Sequence, residues 1–229
     1  MRFQDKNWEL DSLQIIGPQV LRILRERIVY CDLKPGQKIT ETGIAKDFAT
    51  SRQPVREAFM KLSDEGLLEV KSQRGTYIRK IAMKSVMDIR FVREAIEADI
   101  VKLLATQIDA RLTDELLVQI EAQKRLDKEN YSEFHQLDEK FHWMLADAAG
   151  KTYAWNVVAN VKSQMDRVRF LSARDFAFDK LIEQHEAIIV AIANADAVAA
   201  EKAMRGHLQE VLIDMPVIAK ERPEFFEIT

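Results

Sequence analysis

The chain is short of the residues that staple or punctuate a fold. It has one cysteine in 229 residues, Cys31, so no internal disulfide can form, which fits a reducing compartment. Seven glycines and five prolines supply few turns and point to a mostly helical protein. No run approaches the ~18 apolar residues of a membrane-spanning helix. Met1 to Leu10 is polar and charged, without a signal-peptide pattern. A cytoplasmic protein with no membrane partner is expected. Repeats, low-complexity linkers, His-Asp doublets and Ser or Cys nucleophile motifs are also missing, which argues against an enzyme. The residues that are present, 47% apolar and 31% charged, suffice for one large domain or two ordinary ones.

An excess of basic charge is missing as well, since the formal net charge is −3. The two parts of the chain differ, however. Residues 1–80 carry 15 Lys+Arg against 11 Asp+Glu, and residues 81–229 carry 19 against 26. A basic module joined to an acidic one is the asymmetry expected when only one part meets nucleic acid.

The basic part is organised around Ser51 to Leu62. Ser51 is a good N-cap, and Pro54 falls in the first turn, where its missing N–H costs nothing. Val55, Ala58, Phe59 and Leu62 recur at helical spacing and make one apolar stripe. Arg52, Gln53, Arg56 and Lys61 lie off that stripe. Arg and Gln pair in two-pronged fashion with guanine and adenine edges, and Arg52, Gln53 and Arg56 sit at the helix end that reaches bases in a helix-turn-helix. Read alone, the stretch is equally an amphipathic helix with solvated charges. Its neighbours decide between the two. Thr40 caps a short helix, Glu41 to Phe48, that precedes it through Ala49-Thr50. Two β-prone runs, 67–70 and 76–81, follow around the cationic turn Lys71 to Gly75. The result is a winged helix-turn-helix.

From Ile81 onward the pattern is helical nearly to the end. Expected helices run from Lys84 to Ala105, from a Thr113 cap to about Asn130, and from Ser132 to Ala149. Further ones run from about Ala154 to Ser172 (broken within), from Phe178 to Ala193, and from Ala197 to Asp214. The fold class is therefore mostly α, a winged helix-turn-helix followed by an all-α bundle of six to seven helices. The expected layout is an arm at 1–15, a DNA-binding domain at 16–81, an effector-binding and dimerisation domain at 82–216, and a tail at 217–229.

All four histidines lie in the bundle. Asp138 and His142 are one turn apart on one helix face. His185 and His207 flank the turn at Ala195, ten residues before it and twelve after, about 15 and 18 Å along antiparallel helices, so they can sit side by side. Three imidazoles and a carboxylate suit a borderline divalent ion such as Zn, Ni or Mn. His135, seven residues before His142, shares that face, and spacing alone does not exclude it.

Arg27-Ile28, Leu33-Lys34-Pro35-Gly36, Ser51-Arg52-Gln53-Pro54-Val55-Arg56-Glu57-Ala58, Leu62, Glu65-Gly66-Leu67 and Arg74-Gly75 stand in an order that resembles the N-terminal domain of the GntR family of bacterial transcription regulators. The remainder, from Val92-Arg93-Glu94-Ala95-Ile96-Glu97 through His185 to His207, resembles the FadR-type C-terminal (FCD) domain. Arg52 to Phe59 and Asp166-Arg167-Val168-Arg169 are most similar to the RspR branch, which sits beside sugar-acid-type genes. The resemblance implies that Arg52 and Arg56 contact bases or phosphates and that Gly75 sits at a wing tip beside Arg74. It implies a metal held by Asp138, His142, His185 and His207, with His135 outside the set. It places Arg93 near the pocket, where it would pair with the carboxylate of a small organic acid, a sugar acid in the first instance. Two departures stand out: Thr42 where the family usually offers Arg, and Ala49-Thr50 for the usual Gly-Val. They suggest a different operator.

The expected function is a repressor that binds a palindromic double-stranded DNA operator as a homodimer, because one winged domain has too few contacts for specific affinity. Two other classes compete. A helical-bundle metalloenzyme would need more than Glu139-x-x-His142. The residues three before His185 and His207 are Ile182 and Met204, and after His185-Glu186 position 189 is Ile. An architectural DNA binder without ligand would not need a polar constellation inside a bundle.

Overall fold

A computed structural model of the chain describes residues 8–107, 109–127, 130–172 and 178–227. Residues 1–7 of the expected arm and 228–229 of the expected tail lie outside the described residues. The chain separates into two units. The first holds the residues up to Val86, Ser163–Val168 and those from Val217 on; the second holds Met87–Lys162 and Arg169–Pro216.

In the first unit, α1 (Ile16–Val29) buries Val20, Ile23, Leu24 and Ile28. It starts three residues before the expected Gln19, because Pro18 falls in the first turn, where its ring is tolerated. α2 (Glu41–Asp47) is capped as expected, with Thr40 Oγ1 accepting from the Gly43 N–H at 3.0 Å. Ala49 then turns the chain at φ +49°, in the left-handed region that a glycine would occupy without strain. α3 (Arg52–Asp64) packs Val55, Ala58, Phe59 and Leu62 against α1. Ser51 takes the N-cap position, but its side chain makes no capping hydrogen bond. Gly66, at φ +70°, ends the helix.

β2 (Leu68–Lys71) and β3 (Gly75–Ile78) form the hairpin, with Lys71 opposite Gly75 and Leu68 opposite Ile78. A strand not expected from sequence, β1 (Lys38–Ile39), pairs antiparallel with β3 on its other edge. Two residues are too few to show alternation. Leu24, Ile28, Val55, Phe59, Leu62, Leu67 and Ile78 make one core, and each such side chain contributes about 1.5–3 kcal/mol on burial.

The second unit is a bundle: α4 (Met83–Leu104), α5 (Ala110–Lys124), α6 (Tyr131–Ala148), α7 (Thr152–Val161), α8 (Ser163–Ser172), α9 (Phe178–Ala193) and α10 (Ala197–Glu221). Helices α4, α8 and α10 each have some residues in the first unit. Within the bundle α5 packs on α9 and α6, and α6 on α7. Two expectations for α5 change, and one for α7 and α8 is met. Asp109, not Thr113, caps α5, accepting from the Arg111 and Leu112 N–H groups, so the helix starts a turn earlier; it also ends at Lys124, short of Asn130. The expected break between 154 and 172 is at Lys162.

The helix expected to end at Asp214 continues to Glu221 with Pro216 inside it. Proline removes one intrahelical hydrogen bond, but burial of Met215 and Ile218 keeps the helix going. The expected tail is thus mostly structured. After α10, Pro223–Phe225 form a 3-10 turn. Ile81 N–H then donates to Phe225 O at 2.9 Å and Glu227 N–H to Ile81 O at 3.0 Å, while Arg79 pairs with Glu227 and Phe226 is buried. Among the described residues no helix is long and apolar enough to cross a membrane.

Candidate metal centre and nucleic-acid interface

On the first unit the side chains expected to meet DNA are exposed. Thr42, Ser51, Arg52, Gln53, Arg56, Lys61, Arg74 and Gly75 all face solvent. Two are held by neighbouring carboxylates: Arg52 pairs with Glu41 at 3.1 Å, and Gln53 Nε2 donates to Glu57 Oε1 at 2.9 Å. Both pairs are exposed, so displacing them costs little, on the order of 0–1 kcal/mol. At the hairpin tip Gly75 has φ +105°, a conformation that requires glycine; a Cβ there would also lie 2.8 Å from Cε of the flexible Lys38 side chain, which can move aside. Lys38 and Lys71 lie 5.9 and 5.1 Å from the Tyr77 ring centroid, within cation–π range. Lys38 and Tyr77 were not singled out from sequence, because the short β1 that brings Lys38 to the hairpin leaves no periodicity.

In the second unit α6, α9 and α10 bring Asp138, His142, His185 and His207 together. Each offers one ligand atom, and these atoms all lie within 4.8 Å of one another, on four buried residues. His135, buried on the same helix against the Tyr131 ring, is not in that group. The two helix faces expected to meet do meet: His142 Nε2 lies 3.2 Å from His207 Nε2, and His185 Nε2 lies 3.4 Å from Asp138 Oδ1.

The outer nitrogens of His185 and His207 have acceptors, and that of His142 lies against a carboxylate. His185 Nδ1 lies 3.0 Å from Gln123 Oε1, His207 Nδ1 3.0 Å from Gln184 Oε1, and His142 Nδ1 2.5 Å from Glu97 Oε2, an approach off the N–H axis. The amide orientations are fixed from their other ends: Gln184 Nε2 donates to Glu210 at 2.9 Å, and Gln123 Nε2 points to Leu137 O at 3.5 Å. An acceptor at Nδ1 places the proton there and leaves the lone pair on Nε2. That holds for His185 and His207; His142 Nε2 meets His207 Nε2, so three imidazoles converge beside a carboxylate, and His185 Nε2 has no hydrogen-bond partner. That donor set fits a divalent ion, and the outer acceptors are the partners that metal-ligating histidines usually have.

The electrostatics agree. Burial pushes His185 below its ordinary value, although Asp138 opposes this, and burial with His185 and His142 pushes His207 well below; both rings are neutral, the ligating form. Burial acts to raise the Asp138 carboxyl, but Arg169 and His185 outweigh it and hold it well below the usual carboxylate range. Burial likewise acts to raise Glu97, and Arg93 and His142 outweigh it, leaving it at about 2.

Arg93, expected to face an effector, is 1% exposed and donates from Nε to Glu97 Oε1 at 2.6 Å; its Nη1 has no hydrogen-bond partner. Arg169 donates to both oxygens of Asp138 at 2.8 Å each. Glu97, Gln123, Gln184 and Arg169 were not expected as site residues. Glu97 lies one turn after Arg93 and Gln184 beside His185, but no spacing marks such residues as partners of a histidine.

The bacterial regulatory proteins, gntR family, match residues 17–78, and the FCD domain matches residues 88–210. Over 220 residues the chain is 35% identical to the HTH-type transcriptional repressor RspR of Escherichia coli (strain K12), covering 95% of this chain and 96% of that protein. It is 33% identical over 204 residues to an HTH-type transcriptional regulator in an unstable DNA locus of Streptomyces ambofaciens, covering 89% of this chain and 86% of that one. Two solved structures share the fold. E. coli McbR/YncC superposes with TM-score 0.72 at 17% identity, over 93% of this chain and 99% of that one. A GntR regulator from Rhodococcus sp. RHA1 superposes with 0.69 at 22% identity, over 87% and 97%.

Proposed function

The chain belongs to the GntR family, carries an FCD domain and is a transcription regulator rather than an enzyme; from that premise we propose that it is a repressor whose operator affinity is set by a small organic acid bound at a divalent metal in the bundle. The observation that carries this reading is the convergence of three buried imidazoles and one carboxylate, their candidate ligand atoms within 4.8 Å of one another, with His185 and His207 held from behind by amide oxygens. An architectural DNA binder has no use for such a set. Asp138, His142, His185 and His207 would hold the ion, which would supply Lewis acidity toward a carboxylate. Zinc suits the three imidazoles best, with nickel or manganese as other borderline choices. Arg93 has Nη1 left for the acid.

On the DNA side, Arg52, Gln53 and Arg56 would read base edges from the N-terminal half of α3. Thr42, Ser51 and Lys61 would contact the backbone, and Arg74 and Gly75 would bring the hairpin tip to the phosphates or minor groove. A homodimer on a palindrome supplies the second half-site, and the site of action is the cytoplasm. The sugar-acid class is the first to try as effector. Operator binding measured with zinc, with chelator, and with a panel of sugar acids tests the reading. Affinity that responds to both zinc and an acid supports it, and affinity indifferent to both contradicts it.

A further inference from the structure

Asp138 has two claimants. It is one of the four converging ligands, and both of its oxygens are also taken by the Arg169 guanidinium in a two-pronged pair, 2.8 Å on each side. That pairing is strong and planar. A second carboxylate, Glu97, is engaged by Arg93 and His142, and Asp214 lies close enough to feel the Arg169 charge. Asp138 and Glu97 each already have a guanidinium partner. A divalent ion would therefore add two positive charges beside two buried carboxylates that are already matched. Buried charge of one sign is costly unless an opposite charge is brought in.

Resting on the metal reading above, we infer that Arg169 is an internal competitor for Asp138, which yields that carboxylate to the ion and then serves as receptor for the carboxylate of the effector. Access separates the two arginines. The Arg169 side chain is 13% exposed, whereas that of Arg93 is 1% exposed and bound to Glu97, so Arg93 can add only its Nη1 to a carboxylate received by Arg169. Arg169 can turn to an incoming anion without breaking the buried Arg93–Glu97 pair. The class of ligand follows from the charge balance: an anionic acid, with one carboxylate oxygen toward the ion and a second toward the Arg169 fork. A neutral polyol of the same size lacks the charge that offsets the ion and the freed guanidinium.

The sign of one measurement separates competition from simple support of Asp138. Zinc affinity of the full chain is determined by chelator competition for the wild type, Arg169→Gln and Arg169→Lys. Competition predicts zinc binding tighter by about tenfold or more in Arg169→Gln, as two charge-assisted hydrogen bonds no longer oppose it, with Arg169→Lys between. Thermal unfolding in chelator establishes that each variant is folded, and Arg169→Lys carries the test if Arg169→Gln is not. Zinc binding that is unchanged or weaker in the folded variants overturns the competition. For the receptor role the probe is acetate. It should raise the melting temperature of the zinc-loaded wild type and not that of the zinc-loaded variants. An equal rise in all three, or none in the wild type, overturns that role. If the wild type binds no zinc, the metal reading itself fails, an outcome distinct from zinc bound with the wrong order of affinities.

Discussion

Replacing Glu97 by Gln is the most informative single change in the bundle. Glu97 is 3% exposed and joins Arg93 to His142, so the change acts twice. For folding, it leaves the Arg93 guanidinium buried without a counter-charge, which costs about 3–5 kcal/mol. The lowered acidity leads to a similar figure: holding the carboxyl at about 2 instead of 4.5 corresponds to about 3 kcal/mol of native-state stabilisation. A depressed carboxyl stabilises the fold above its unfolded value and loses that contribution as the pH falls. The gap between wild type and Glu97→Gln, measured by urea unfolding in chelator, should therefore be full at pH 7 and shrink between pH 4.5 and about 2. For metal binding, loss of the carboxylate behind His142 should weaken zinc by about 10–100-fold. The double change Arg93→Met with Glu97→Gln separates the effects: removing both charges restores most of the stability but not the zinc affinity. A gap that stays constant with pH, or a folded Glu97→Gln protein with native zinc affinity, would refute the reasoning.

Four further changes probe other parts of the chain. Arg52→Ala and Arg56→Ala should each cost about 1–3 kcal/mol of operator affinity if they read bases. If they contact phosphate instead, each should lower the salt slope by about one; gel-shift titrations at several salt concentrations decide. Phe226→Ala should destabilise the protein by about 3 kcal/mol in urea unfolding, because this C-terminal side chain is 4% exposed and sits beside the Ile81 pairing; an unchanged midpoint would return the segment to the status of a loose tail. Burial, aided by Glu210, raises the Asp214 carboxyl, so its ionisation opposes folding. The penalty is absent below its unfolded value of 3.8 and grows as the pH rises through the raised folded value. Asp214→Asn should accordingly be more stable than wild type at pH 7 and equal to it below pH 3.8, a convergence visible in thermal melts.

Much of the architecture was legible because its signals are periodic. Val55, Ala58, Phe59 and Leu62 mark α3 by spacing alone, Thr40 marks the start of α2, and Gly66 marks the end of α3. Charge asymmetry separated the basic module from the acidic one. The four ligand candidates could be paired by helix geometry, and the structure brings them within 4.8 Å.

What could not be read depends on tertiary context. Lys38 reaches the hairpin through a two-residue strand with no pattern. Pro216 signals an end that burial of Met215 and Ile218 overrides. Gln123 and Gln184 look like solvated amides on amphipathic helices, and only the packing turns them toward His185 and His207. Arg169 appeared within a run shared with relatives, yet its partner lies thirty-one residues away on α6.

The measurement closest to the central claim is metal stoichiometry and affinity on the purified full chain, by chelator competition with zinc. The account predicts one tightly bound zinc per chain in the wild type, and loss of that binding in His142→Ala, His185→Ala and His207→Ala but not in His135→Ala. Absence of tight zinc, nickel and manganese binding in the folded wild type would contradict it, as would zinc that depends on His135 and survives loss of His185.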